Sequence, residues 1–196
     1  MTKPRIAEPI KKLMAHRFRY KMSDSEFDHQ LASMGWNEIG RGGYSGVYAN
    51  KKKTYVLKIS DRYDAGYEAY VKLIHNYKNV HFPRIGDIKK LRIAGKNYYV
   101  HLIEKLIEFP YRLGEQIAEN IDDAIGVLEE VPRNKIDEQL KEYFGKAIPK
   151  YIANDPPMKE AIWLIANSPG SNWLDIHGGN FMKRKDGTIV ITDPYS

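Results

Sequence analysis

Between Asn37 and Ile59 the sequence wraps short β-rich runs around a cluster of glycines, Ile39-Gly40-Arg41-Gly42-Gly43-Tyr44-Ser45-Gly46-Val47-Tyr48. No other stretch limits the fold as much. Glycines between two strands make a hairpin whose bare N–H groups can close over phosphates that a Cβ would hold away. A dinucleotide-binding fold needs its glycines between a strand and a helix, and a Walker-type loop needs lysine followed by serine or threonine, which this stretch lacks. Taken alone, the loop is also open to a purely structural reading as a tight or bulged turn.

The periodicity around the hairpin predicts strands over 37–40, 47–50 and 54–59, a helix between Asp61 and Tyr77 with a stripe of Tyr63, Tyr67, Tyr70, Val71 and Ile74, and strands over 85–93 and 97–103. The expected first domain, residues 36–106, is thus a five-stranded antiparallel sheet with one helix. Before it, residues 1–35 read as a helical extension carrying Ile6, Ile10, Leu13 and Met14, then Phe27, Leu31 and Met34. After it, residues 107–196 read as two or three helices interrupted at Pro132, Pro149 and Pro156-Pro157, followed by a hairpin at Asp186-Gly187. The fold class is α+β.

With 196 residues and 42% hydrophobic content, the chain can bury one good core or two small ones. It has no cysteine, which removes disulfides, thiolate zinc sites and a cysteine nucleophile from consideration. Its six histidines show no paired spacing, which argues against zinc. The longest apolar run, 161–166, falls far short of the roughly 20 residues that span a bilayer, so a soluble cytoplasmic protein with no membrane partner is expected. The net charge of +6 leaves contact with nucleic acid, nucleotides or an acidic partner open. Lys51-Lys52-Lys53 and Lys183-Arg184-Lys185 read as solvated hairpin tips.

In Tyr55-Val56-Leu57-Lys58-Ile59, strand alternation sends Val56 and Lys58 to one face. If that face meets a nucleotide, Val47 and Val56 can cover its base while Lys58 neutralises phosphate oxygens. Glu68, on the following helix, can hold the lysine extended by an ion pair or can be an ordinary surface glutamate. Near the end comes Asp175-Ile176-His177-Gly178-Gly179-Asn180, then a hydrophobic run ending in Asp193. Phosphoryl transfer asks for oxygens that bridge magnesium, a carboxylate near the attacking hydroxyl, and cations around the transferred group. Asp175 can be that carboxylate, Asn180 and Asp193 can hold the metal, and His177 can add a donor. Each aspartate alone also reads as turn punctuation.

Together these motifs resemble the protein-kinase and aminoglycoside-kinase-like superfamily over residues 36–196. Gly40, Gly42, Gly43 and Ser45 resemble its glycine loop, Val56-Leu57-Lys58 its nucleotide-lysine strand, and Glu68 the helix partner of that lysine. Ile103-Glu104-Lys105-Leu106 resembles the hinge that reads adenine. Asp175 to Asn180 resembles the catalytic loop, and Asp193-Pro194-Tyr195 the metal-binding segment. More narrowly, Leu174 to Asn180 with Ile191 to Ser196 is similar to the early serine/threonine protein kinases of short-tailed lytic bacteriophages. That resemblance implies ATP and Mg2+ as cofactors and action in the host cytoplasm on host proteins, among them transcription and RNA-processing machinery.

Trp173 and Leu174 stand where most such kinases have His-Arg, so control through an arginine-bound phosphate is not expected. Pro194 and Tyr195 replace Phe-Gly. The sequence ends at Ser196, short of an activation segment and a peptide-binding floor, so substrate docking is expected to use the middle helices, the N-terminal extension or another chain. Two other readings stay open at this stage: a pseudokinase-type binding protein that inhibits a host enzyme, and a small-molecule kinase.

Overall fold

The computed structural model describes residues 24–86, 89–93, 95–170 and 174–195. The stripe of Ile6, Ile10, Leu13 and Met14, together with Trp173 and Ser196, lies outside them. The described chain is α+β and falls into two compact units, one of residues 24–64 and 84–105, the other of residues 65–83 and 106–195. No helix among the described residues is long and apolar enough to cross a membrane.

The first unit holds helix α1 (Asp24–Ser33) and strands β1 (Asn37–Arg41), β2 (Ser45–Ala49), β3 (Tyr55–Ser60), β4 (Lys89–Ile93) and β5 (Lys96–Glu104). They form an antiparallel sheet in the order β1-β2-β3-β5-β4. β2 begins two residues before its expected start. The Gly42 N–H donates to the Ser45 carbonyl at 2.8 Å, closing the turn early and letting Ser45 pair with Ser60 of β3. β1 carries a bulge between Glu38 and Gly40, which pushes Ile39 outward to 57% exposure.

One face of this sheet presents Tyr48, Leu57, Ile59, Leu91, Tyr98, Val100 and Leu102, and α1 covers it with Phe27 and Leu31. Phe27 stacks on Tyr98 with ring centroids 4.9 Å apart. Residues 24–33 of the expected extension are therefore part of the sheet's own core, while the helix expected to accompany the sheet, α2 (Ala65–Asn76), groups with the second unit. Tyr63, read as the first residue of that helical stripe, precedes α2 and is exposed.

The second unit adds β6 (Ile107–Glu108), α3 (Tyr111–Leu128), α4 (Ile136–Phe144), α5 (Lys150–Ala153), α6 (Pro156–Ala166), β7 (Phe181–Lys183) and β8 (Ile189–Ile191). Its small sheet runs β6-β7-β8. α3 buries Gly114, Ile117, Ile121, Ala124, Ile125 and Leu128, a single 3.6-residue stripe. There are four α-helices where two or three were expected. The prolines explain the difference, because they open elements instead of breaking them: Pro132 precedes a 3-10 turn, Pro149 precedes α5 and Pro156 is the first residue of α6. A proline's fixed φ and missing N–H cost nothing at a helix start. Asp155 caps α6 by accepting from the Met158 N–H at 3.1 Å.

Helix α1 is tied to the glycine hairpin through Asp28. Its two oxygens accept from the Tyr48 hydroxyl at 2.6 Å and from Arg41 at 2.7 Å, and Arg41 also bridges to Glu38 at 2.5 Å. Arg41 is about half exposed, so its ion pairs contribute little. Tyr48 is buried, and its hydroxyl needs a partner. Asp28→Ala is therefore expected to destabilise the protein by about 1–3 kcal/mol through the orphaned hydroxyl. Arg41→Ala is expected to lower stability by under about 1 kcal/mol. Urea denaturation followed by circular dichroism measures both.

Candidate functional site

The sequence-predicted residues divide between the two units. Gly40, Gly42, Gly43, Ser45, Val47, Val56, Lys58 and Glu104 stand in the first, and Glu68, Leu106, Asp175, His177, Asn180 and Asp193 in the second.

In the first unit, β3 sits between β2 and β5, and its register pairs Lys58 with Val47 on one side and His101 on the other. Val56 pairs likewise with Ala49 and Ile103. Lys58, Val47 and Val56 thus share the sheet face opposite the one that α1 covers. Lys58 is 8% exposed, and an ammonium held that far from water is stable only in company of anionic or polar groups. At the hinge-like stretch, the Glu104 N–H donates to the Arg84 carbonyl and the Lys105 N–H to the Thr54 carbonyl, each at 2.9 Å. Those two donors are committed to the unit's own backbone.

The hairpin glycines differ in what they are for. A Cβ at Gly46 would lie 2.7 Å from the Tyr48 hydroxyl oxygen and 2.8 Å from its ring, so this glycine makes room for the tyrosine. At Gly40 and Gly43 a Cβ meets no described heavy atom within 4 Å, and neither residue has positive φ. The fold therefore does not itself ask for glycine at these two positions. A cavity of about 120 Å³ opens beneath the hairpin, between Phe27, Asp28, Tyr48 and Tyr98, on the α1 side of the sheet. It lies on the face away from Lys58.

In the second unit, Asp175, Asn180 and Asp193 come from two chain segments knitted together by hydrogen bonds. The Asn180 side-chain amide donates to the Asp175 carbonyl at 2.6 Å, and the Asp175 N–H donates to the Pro194 carbonyl at 2.9 Å. The Thr192 N–H and hydroxyl both donate to the Asn180 carbonyl, at 2.8 and 3.1 Å. Leu174 and Tyr195 form a further antiparallel bridge. With its amide nitrogen committed to the backbone, Asn180 keeps its side-chain oxygen as the atom a hard cation takes.

His177 caps the short 3-10 turn Gly178–Asn180, its Nδ1 accepting from the Gly179 N–H at 3.2 Å. A neutral ring bonded this way carries its proton on Nε2, which stands 4.0 Å from an Asp175 carboxylate oxygen. Both side chains are about half exposed, leaving room for a reacting group.

What sequence reading missed is the support beneath this loop. The Gly178 N–H donates to Glu115 of α3 at 3.2 Å, and a Cβ on Gly178 would lie 2.7 Å from the Glu115 backbone nitrogen. Facing it, a Cβ on Gly114 would lie 3.0 Å from the Gly178 carbonyl oxygen. Two glycines let helix and loop touch backbone to backbone. The available signal was Gly114 itself, an isolated glycine inside a helical stripe.

β8, which leads to Asp193, is fixed from the other side. The Tyr70 hydroxyl donates to the Ile191 carbonyl at 2.5 Å, and the Ile191 N–H donates to the His81 carbonyl at 2.9 Å. Tyr195 is buried, packs edge-on against Tyr70, donates to the Ile165 carbonyl at 3.0 Å and bonds Ser168. No group of three or more His, Cys, Asp or Glu able to hold a metal occurs among the described residues.

Compared with known proteins, the chain matches no family model and no curated relative.

Two outcomes are expected from this geometry. Gly178→Ala must push the loop off α3 against backbone, at a cost of about 1–3 kcal/mol, which urea denaturation measures. Second, burial pushes the Tyr195 hydroxyl up to about 12. The unfolded chain then loses this proton first, near the ordinary value of about 10. The stability held by the neutral ring is complete below about pH 10 and falls by up to about 1.4 kcal/mol per pH unit toward about pH 12. Burial raises Tyr70 and Tyr48 as well, so Tyr195→Phe is expected to shallow the alkaline fall in melting temperature without abolishing it.

Proposed function

We propose that the chain is an ATP- and magnesium-dependent phosphotransferase of the protein-kinase-like class, acting on serine or threonine hydroxyls of proteins. The observation that carries this reading is the knit of Asp175, Asn180 and Asp193: an aspartate, an amide oxygen and a second aspartate, far apart in sequence, set on hydrogen-bonded segments. Lys58 adds a cation on the face it shares with Val47 and Val56. Gly40 and Gly43, which the fold does not require, suit a ligand that approaches the backbone closely.

The donor set fits magnesium. Asn180 and Asp193 offer hard oxygens, and magnesium takes one or two protein oxygens while keeping water and phosphate for the rest. The lack of a denser acidic cluster among the described residues suits a metal that arrives with the nucleotide. What magnesium supplies when bound is neutralisation of the phosphate oxygens.

The residues then divide the work. Lys58 holds phosphate oxygens, and Asp175 orients the acceptor hydroxyl and takes its proton as the oxygen bonds to the γ-phosphorus and ADP departs. His177, with its Nε2 proton turned toward the same region, donates to the transferred group. The resemblance to early bacteriophage kinases makes host proteins the proposed substrates and the host cytoplasm the proposed place of action.

Incubation with radiolabelled ATP, magnesium and a bacterial lysate tests this reading. The wild type is expected to label proteins, with Asp175→Ala and Asp193→Ala each reducing the rate by roughly 10²-fold or more. Calorimetry with magnesium-ATP is expected to show weaker uptake for Asp193→Ala and for Lys58→Met. Nucleotide uptake without transfer by the wild type would leave a binding protein and remove the enzyme.

A further inference from the structure

The loop after β3 and the edge strand β4 set tyrosines and cations side by side along one end of the first unit's sheet. The Asp61 N–H donates to the Tyr44 carbonyl at 3.1 Å, and the Arg62 guanidinium lies 3.3 Å from the centre of the Tyr44 ring. The next residue, Tyr63, meets Tyr99 of β5 edge to face, with centroids 5.7 Å apart. Lys90 of β4 pairs with Tyr99 across the strands and holds its ammonium 5.8 Å from that ring. Arg92 follows two residues along the same strand, on the same face and about 6.6 Å away. Both Lys90 and Arg92 are exposed, as is their neighbour Lys89.

The rings are not core residues that happen to reach the surface. Tyr44 is 58% exposed and Tyr63 is 54% exposed. Of the two acidic residues in the loop, Asp61 is met by Lys96 at 2.8 Å, so the row keeps a positive balance. An acidic protein would call for the cations alone. Exposed rings interleaved with cations are what a chain of phosphates and planar bases requires, since every base has a face to stack and every linkage a charge. A duplex hides those faces, so the match is to a single strand.

We propose that Tyr44, Arg62, Tyr63, Tyr99, Lys90 and Arg92 form a binding surface for single-stranded nucleic acid. Bases stack on the tyrosines, and the arginines and lysine follow the backbone. The surface recognises the polymer without reading sequence, since none of these side chains is held in a pocket shaped for one base edge.

Fluorescence anisotropy of a labelled single-stranded oligouridylate of about 12 nucleotides, titrated with the full chain at several salt concentrations, tests this. The mixture holds neither ATP nor magnesium, so the result is separate from that of the phosphotransferase assay. The wild type is expected to bind at low salt and to weaken as salt rises. Tyr63→Ala is expected to weaken binding by roughly 5-fold or more, the lower end of a lost stack. Lys90→Ala with Arg92→Ala is expected to reduce the slope of log affinity against log salt by about 1.4, the loss of two single-strand phosphate contacts. These side chains are at the surface, so the variants keep the wild-type melting curve. The proposal is overturned if the wild type does not bind, or if both variants bind as the wild type does. It also fails if poly-glutamate displaces the oligonucleotide while Tyr63→Ala binds normally, which would assign the surface to an acidic protein.

Discussion

A single side-chain amide holds the candidate site of the second unit in register. Asn180 donates to the Asp175 carbonyl, and its own carbonyl takes two hydrogen bonds from Thr192, so one residue fixes the segment before it and the segment after β8. Hydrogen bonds of this kind add only about 1 kcal/mol each to stability. Their larger effect is to remove freedom: two turns that would otherwise move separately behave as one piece, and the polar groups they carry keep a fixed spacing. The buried tyrosines complete this arrangement. Tyr70 and Tyr195 meet edge to face and send their hydroxyls to backbone carbonyls of β8 and α6, so the strand that leads to Asp193 is secured by aromatic packing as well as by its ladder.

Much of this was legible in the sequence, because it rests on local patterns. The glycine cluster between β-rich runs marked the β1–β2 hairpin, alternation in Tyr55-Val56-Leu57-Lys58-Ile59 marked the two faces of β3, and Asp186-Gly187 marked the β7–β8 turn. The residues that escaped notice act at long range. Phe27 and Leu31 of α1 show a helical stripe but give no sign of what the stripe covers, and only the folded chain places them on Tyr98 and Leu102. β6 is two residues long, too short for any periodicity to announce it. Glu115 looks like one more exposed glutamate on α3 until the Gly178 N–H is seen to reach it.

The prolines illustrate a different limit. Pro132, Pro149 and Pro156 were read as interruptions because proline cannot sit inside a helix, yet the same chemistry makes it a good first residue. The position of a proline within its element decides which rule applies, and that position depends on where the apolar stripes of neighbouring helices meet. Here α3, α4 and α6 carry their own stripes, and the prolines fall in the gaps between them.

The crowding of Tyr48 against Gly46 has a consequence for how this hairpin can vary. The two positions act as one steric unit: a side chain at 46 is admissible only if the aromatic ring at 48 shrinks, and a smaller residue at 48 would leave a gap that releases the constraint on 46. Related chains should therefore change at these positions jointly or keep both. A glycine that looks, by its neighbours, as though it serves a bound molecule would in that case track the size of a residue inside the protein.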